Sequence, residues 1–338
     1  MAFTTELLDF RRETILYLVF GPLALILNIP IVVLILTSRK LRIRKEFIMI
    51  VGLCLVDATC GLAYTSTGIY RLDLIDSHRL EEMTSRFFCN KTFAQIVLIQ
   101  FDQLMSCIVL VTTLDRAFAI FKPIAYFKLS PSYAWKLVLF VFVQAALFYV
   151  LSHILTMDDR AEEVSALCYT SDSVDATFYD ILRGIRIASV SVSIAMYIPI
   201  GIRLISVGCA FAIPGPSTSF QFSKQQSEVN FSSSRMKQLR TMTVTVVIAT
   251  STDTIFILIP DVVLAANLFG LARHAMFFYL LNLSKCTLNV FIFSWRHREI
   301  IEEIRSRVGQ LKLRKEKRIN RISSEDLKLR SSEDVTKF

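Results

Sequence analysis

Thr14–Thr37 reads TILYLVFGPLALILNIPIVVLILT and gives way at once to Ser38–Glu46, SRKLRIRKE. The first stretch is uncharged and long enough, as a helix, to cross a hydrocarbon core about 30 Å thick. The second sets Arg39, Lys40, Arg42, Arg44 and Lys45 against Glu46 alone. Such a cluster marks the side of a membrane that is not translocated. The same alternation recurs outward from this point, over Phe47–Tyr70, Phe87–Phe121, Tyr133–Leu155, Phe178–Phe211, Arg240–Phe269 and Ala275–Trp295. In lipid every backbone amide must find a partner within the protein, which helices provide by themselves. A β-barrel would show short segments of alternating polarity instead. The expected fold is an all-α membrane protein, a seven-transmembrane helix bundle.

Composition agrees. The 338 residues are 53% hydrophobic and 20% charged, against about 45–50% and about 25% for soluble chains. The composition argues against a soluble enzyme, and no catalytic function is expected. The net charge of +9 sits in alternate connectors and the tail, which makes it a topology signal and not a nucleic-acid surface. Lys122 and Lys128, then Lys224, Arg235 and Lys237, lie on the basic side. Asp73, Asp76, Glu81 and Glu82, then Asp158, Asp159, Glu162, Glu163, Asp172 and Asp175, lie on the other. This places the amino terminus outside and the tail in the cytoplasm. Residues 1–13 show no apolar core or cleavage site, so the first span is expected to act as its own insertion signal.

The expected domains are an extracellular segment 1–13, a seven-transmembrane domain 14–295, an amphipathic membrane-surface helix 296–313 and a disordered tail 314–338. The surface helix rests on Ile300, Ile301, Ile304, Val308 and Leu311 along one face. Pro214–Ser234 reads as a flexible loop. The tail repeats Ser-Ser-Glu-Asp at Ser323–Asp326 and Ser331–Asp334, which is compatible with phosphorylation. Cys54, Cys107 and Cys286 lie inside apolar runs and read as buried thiols. The four histidines have no ligand spacing, so neither a metal nor a cofactor is indicated.

Asp115-Arg116-Ala117-Phe118-Ala119-Ile120-Phe121-Lys122-Pro123-Ile124-Ala125-Tyr126 closes the third span. It resembles the rhodopsin-like (class A) seven-transmembrane G-protein-coupled receptor signature Asp-Arg-Tyr-x-Ala-Ile-x-x-Pro-x-x-Tyr, with Ala117 in the tyrosine's place. Asn28 in span one, Leu53 and Asp57 in span two, and Pro260 in span six match other family positions. Asn289-Val290-Phe291-Ile292-Phe293 is similar to Asn-Pro-x-x-Tyr, with valine and phenylalanine substituted. The usual span-six aromatic is Leu258, and the span-four tryptophan has no counterpart. Degenerate motifs, a short amino terminus and a basic, serine-containing tail are most like the nematode serpentine chemoreceptors.

The resemblance implies roles. Arg116, held by Asp115, would be the switch released toward a heterotrimeric G protein, with Pro123, Tyr126, Arg240, Asn289 and Phe293 in the same coupling machinery. Arg240 replaces an acidic partner low on span six, so the lock is expected to rest on Asp115 alone and basal activity to be raised. Asn28, Asp57, Asp253 and Lys285 form an expected core polar network. A sodium ion would need hard oxygens, but Met105 and Lys285 stand at its other ligand positions. Lys285 is therefore expected to act as a built-in cation, paired with Asp57 or with Asp253, unless it is neutral and partly solvated. A retinal lysine would fall at Leu283 and an aminergic aspartate at Leu98, and both are missing.

Asp102, Asp261 and Tyr279 outline an acidic, aromatic pocket for a cationic or hydrogen-bond-donating small molecule; the alternative is that the two carboxylates satisfy neighbouring helices. Cys89 and Cys168 match the family's cysteine pair, which implies a disulfide. Of the sequons, Asn90 lies too close to the membrane, Asn230 is cytoplasmic and Asn282 is within a span. Expected partners are a small-molecule ligand, a heterotrimeric G protein, arrestin and kinases at the serine-rich tail, and membrane lipid. The expected location is the plasma membrane, with sensory cilia as the finer placement. The rival readings are a secondary transporter using the intramembrane Asp and Lys residues, and a seven-helix binding protein that couples weakly.

Overall fold

The computed structural model describes residues 2–212, 243–248, 250–268, 270–271, 275–310 and 312. Among them, seven helices are long and apolar enough to cross a membrane: Phe10–Thr37, Lys45–Asp76, Phe93–Phe121, Pro131–Leu155, Ala176–Arg203, Thr243–Ala265 and Phe277–Arg296. They are called spans one to seven below. The chain divides into two compact units with the boundary between Arg296 and His297. In the second unit residues 298–310 are helical, with Arg307 Nε 3.2 Å from Glu303 Oε1 one turn away. Arg240, Asn230, Pro214–Ser234, Leu311 and the tail 314–338 lie outside the described residues.

Several boundaries differ from the sequence expectation. The first helix begins at Ala2 and runs unbroken to Thr37, so residues 2–13 are not a separate segment. Once a span is nucleated, each further residue adds one hydrogen bond for little entropy. Span two continues past Tyr70 to Asp76 because Arg71 need not end it. Arg71 is 3% exposed, with its guanidinium 4.7 Å over the ring of Tyr169. Span three is preceded by a separate short helix, Arg86–Lys91, and the break falls at Thr92, whose backbone is extended.

That short helix belongs to a cap at one end of the bundle. Strand β1, Met83–Ser85, pairs antiparallel with β2, Glu162–Ser165, in the register Met83 to Ser165 and Thr84 to Val164. Cys89 and Cys168 are joined by a disulfide with their Cα atoms 5.3 Å apart. Tyr70 donates its hydroxyl to the carbonyl of Ala166 at 2.8 Å. Asn90 is fully buried, its amide donating to Ser152 Oγ at 2.8 Å and to Ser173 O at 3.3 Å. That burial, more than nearness to lipid, removes it as a glycosylation site.

Between helices the packing relies on small residues where backbones approach, because lipid tails are as apolar as leucine and give no hydrophobic drive. A Cβ added at Gly61 would lie 2.6 Å from the carbonyl oxygen of Gly21 and 3.0 Å from Leu25 N. Spans one and two therefore meet backbone to backbone. Span six carries a π-helical turn over Thr254–Leu258, followed by Ile259–Ala265 with Pro260 in its first turn. A π-turn and a proline interrupt the i to i−4 ladder at adjacent places.

Candidate functional site

Three polar layers lie inside the bundle. The first is at the end of span three farthest from the disulfide. Arg116 donates from Nε to Asp115 Oδ2 at 3.0 Å and again from Nη2. The same Nη2 donates to the hydroxyl of Tyr126 at 2.8 Å, and that hydroxyl lies 3.5 Å from Asp115 Oδ2. All three side chains are at most 2% exposed. Tyr126 reaches this position because the chain breaks at Lys122 and restarts as the short helix Pro123–Lys128, with Pro123 in its first turn. Lys45 Nζ donates to the Tyr126 carbonyl and lies 4.0 Å over its ring. Burial pushes the Tyr126 phenol up from its ordinary pKa, and the Arg116 cation pulls it back in part. Arg116 is thus held by Asp115 and Tyr126 together, not by Asp115 alone. Phe293 is fully buried.

The second layer is halfway along the bundle. Lys285 Nζ lies 2.8 Å from Asp253 Oδ1 and 3.4 Å from Asp57 Oδ1. Asn289, one turn along span seven, donates from Nδ2 to Asp57 Oδ2 at 2.9 Å. The choice between the two carboxylates is resolved as both: Lys285 joins spans two, six and seven at one point. Asn28 donates to Ala24 O at 2.9 Å and to Cys286 O at 3.3 Å, tying span one to span seven. Met105 is buried, at 1% exposure. Cys54 and Cys286 are buried free thiols as expected, whereas Cys107 is half-buried.

Two residues in span five were not picked out from the sequence. Tyr197 accepts from Thr113 Oγ1 at 3.2 Å and Thr250 Oγ1 at 3.4 Å, linking spans three, five and six. Arg186 makes the third polar layer, toward the disulfide. Its Nε donates to Asp261 Oδ2 at 2.6 Å and its Nη2 to Asp261 Oδ1 at 2.8 Å, a two-point grip. Its Nη1 lies 3.3 Å from Asp102 Oδ2. The expected acidic pocket therefore already holds a cation. The signal was present in the sequence: an ionisable residue within a span marks a functional position by default.

Asp102, Arg186, Asp261, Phe278, Tyr279 and Asn282 line one cavity, which Pro260 also borders. The open space among them is about 20 Å³, room for about one water and no more. The structure thus brings Asp102, Asp261 and Tyr279 together as the sequence placed them, but closed around Arg186.

The family described as serpentine type 7TM GPCR chemoreceptor Srsx matches this chain over residues 21–308. No curated relative matches it.

Proposed function

The chain belongs to the Srsx family of serpentine seven-transmembrane chemoreceptors, a nematode family of chemosensory G-protein-coupled receptors, and from that premise we propose how its parts divide the work. The cavity around Asp102, Asp261 and Tyr279 faces outward and receives a small-molecule ligand. Asp115, Arg116 and Tyr126 face the cytoplasm and hold the resting state. The disulfide-bearing end lies outside and the tail inside, a placement the basic connectors support, in the plasma membrane of a sensory cell with its cilia as the working site. Arrestin and kinases act on the serine-rich tail.

The observation that carries this reading is the buried Asp115–Arg116–Tyr126 cluster. A full cation sealed at 2% exposure near a helix end has no need to be there for packing. A snorkelling arginine would reach water instead. Sealed by Asp115 next to it in the chain and by Tyr126 ten residues on, the arginine is held in a state that loss of those partners would release. Ligand binding then shifts a pre-existing equilibrium toward a state in which span six moves at Pro260 and Arg116 reaches the G protein. The receptor acts by promoting nucleotide exchange in that partner. A transporter would gain nothing from such a lock.

The test is agonist-independent nucleotide exchange in membranes holding the native chain or Arg116→Ala at matched surface levels. Exchange above background in the native protein, lost in the variant, is the expected result. Native exchange that survives unchanged in Arg116→Ala would remove the switch role.

A further inference from the structure

We infer that Arg186 is a tethered occupant of the outer cavity, and that the diffusible ligand is a small organic cation bearing N–H donors, an alkylguanidinium or primary alkylammonium, which takes its place on Asp102 and Asp261. The inference rests on the receptor reading above and names the ligand's class and its built-in competitor.

The charge balance comes first. Asp102 and Asp261 meet one guanidinium in direct contact, with Arg183 acting on Asp102 from farther off, so the contacting groups hold one more carboxylate than cations. The donors of Arg186 are also committed. Nε and Nη2 are both on Asp261 and Nη1 points at Asp102, which leaves no two-point edge for an incoming anion. The acceptors are less fully used. Asp102 meets Arg186 through one contact at 3.3 Å, and its side chain keeps 22% of its surface open. Asn282, in the same cavity, is 9% exposed, and its Oδ1 has no donor in reach among the described residues. A buried amide oxygen without a donor is costly. Phe256, Phe278 and Tyr279 complete the walls, and aromatic faces attract cations. Acceptors, excess negative charge and aromatic walls together describe a site for a donor cation.

The cavity is full while Arg186 is in it, so a ligand enters only as Arg186 leaves. Departure has a mechanical result. Arg186 is on span five, and Asp261 follows Pro260 on span six. Breaking their two-point grip unties span six directly above its proline.

The test uses the full-length receptor purified in detergent, with thermal unfolding followed by a thiol-reactive dye. Arg186→Ala leaves a guanidinium-shaped space. Millimolar ethylguanidinium is expected to raise the variant's unfolding midpoint, while propionate and propionamide leave it unmoved. In the native receptor the same shift needs at least about tenfold more ethylguanidinium, because Arg186 competes for the site. An Arg186→Ala protein that ignores ethylguanidinium, or answers propionate equally, overturns the proposal. If that variant yields no folded receptor, Asp102→Asn replaces it, since the Arg186–Asp261 grip stays intact. The native shift must then vanish in Asp102→Asn; no native shift, or one of equal size in the variant, overturns the proposal. Neither arm involves a G protein, so the Arg116 experiment decides the receptor reading separately.

Discussion

Lys285→Met is the most informative single change in the bundle core. The ammonium lies 2.8 Å from one carboxylate and 3.4 Å from another. At an effective dielectric of about 20 these separations correspond to gross attractions of about 6 and about 5 kcal/mol. Desolvation of the three groups offsets most of that. Removing the cation keeps the desolvation and discards the attraction, leaving Asp57 and Asp253 both buried and mutually repelling. The expected loss is about 3–5 kcal/mol of stability, the range found when one partner of a buried pair is deleted.

Neutralising all three groups, in Lys285→Met with Asp57→Asn and Asp253→Asn, removes the stranded charges and recovers most of the loss. Cys54, Cys60 and Cys286 are buried free thiols, so a thiol-reactive dye reports unfolding of this very region. The expected order of unfolding midpoints is Lys285→Met lowest, with the triple variant close to native. A Lys285→Met protein as stable as the triple variant would refute the electrostatic account. The same assay tests the built-in cation: replacing sodium chloride by choline chloride leaves the native midpoint unchanged, and a sodium-dependent rise would contradict it.

Three other outcomes follow from the geometry. Cys89→Ser opens a bridge between residues 79 apart in sequence and lowers stability by about 2–5 kcal/mol, which surface expression and dye unfolding both register. Gly61→Ala forces a methyl to 2.6 Å from the Gly21 carbonyl oxygen and costs about 1–3 kcal/mol through the backbone shift it imposes; Gly184→Ala, where a Cβ meets nothing, serves as the silent control in the same unfolding assay. Asp253→Asn and Asp261→Asn each loosen one tie to span six, so each raises basal nucleotide exchange, and their effects multiply in the double variant because the two sites share no partner; basal exchange unchanged in both would separate these ties from the switch.

The seven spans were legible in the sequence because lipid imposes strict rules, and the disulfide and the Lys285 network were legible through motif positions that resemble the family's. Apolar length, charge asymmetry and rare interior charges are each strongly selected by the solvent. What was not legible came from charges that the protein itself hides. A hydropathy reading ends span two at Arg71, but an arginine laid on Tyr169 is screened from lipid and the helix runs on. Arg186 carried the signal of an ionisable residue within a span, but the sequence did not show its partners. Only the third dimension puts Arg186 against two carboxylates from other spans. The break at Thr92 was hidden for another reason: the strand pair and the disulfide that set it join segments far apart in the chain. Tyr126 was read as a motif residue, yet its hydroxyl accepts from Arg116 because a helix restart turns it back onto that side chain.

Two of the buried ion-pair clusters meet in span six. Asp253 immediately precedes the π-turn and Asp261 immediately follows Pro260. The segment between them is where the helix's own hydrogen-bond ladder is weakest. Lys285 from span seven holds its lower border and Arg186 from span five its upper one. In water such a weak segment would be held by apolar burial. In lipid apolar contacts discriminate little between a helix packed on its neighbours and one packed on acyl chains. Ion pairs do discriminate, because a carboxylate moved away from its partner meets hydrocarbon and not water. Charge is thus the term that keeps span six in place, and a charged ligand is the species able to compete for it.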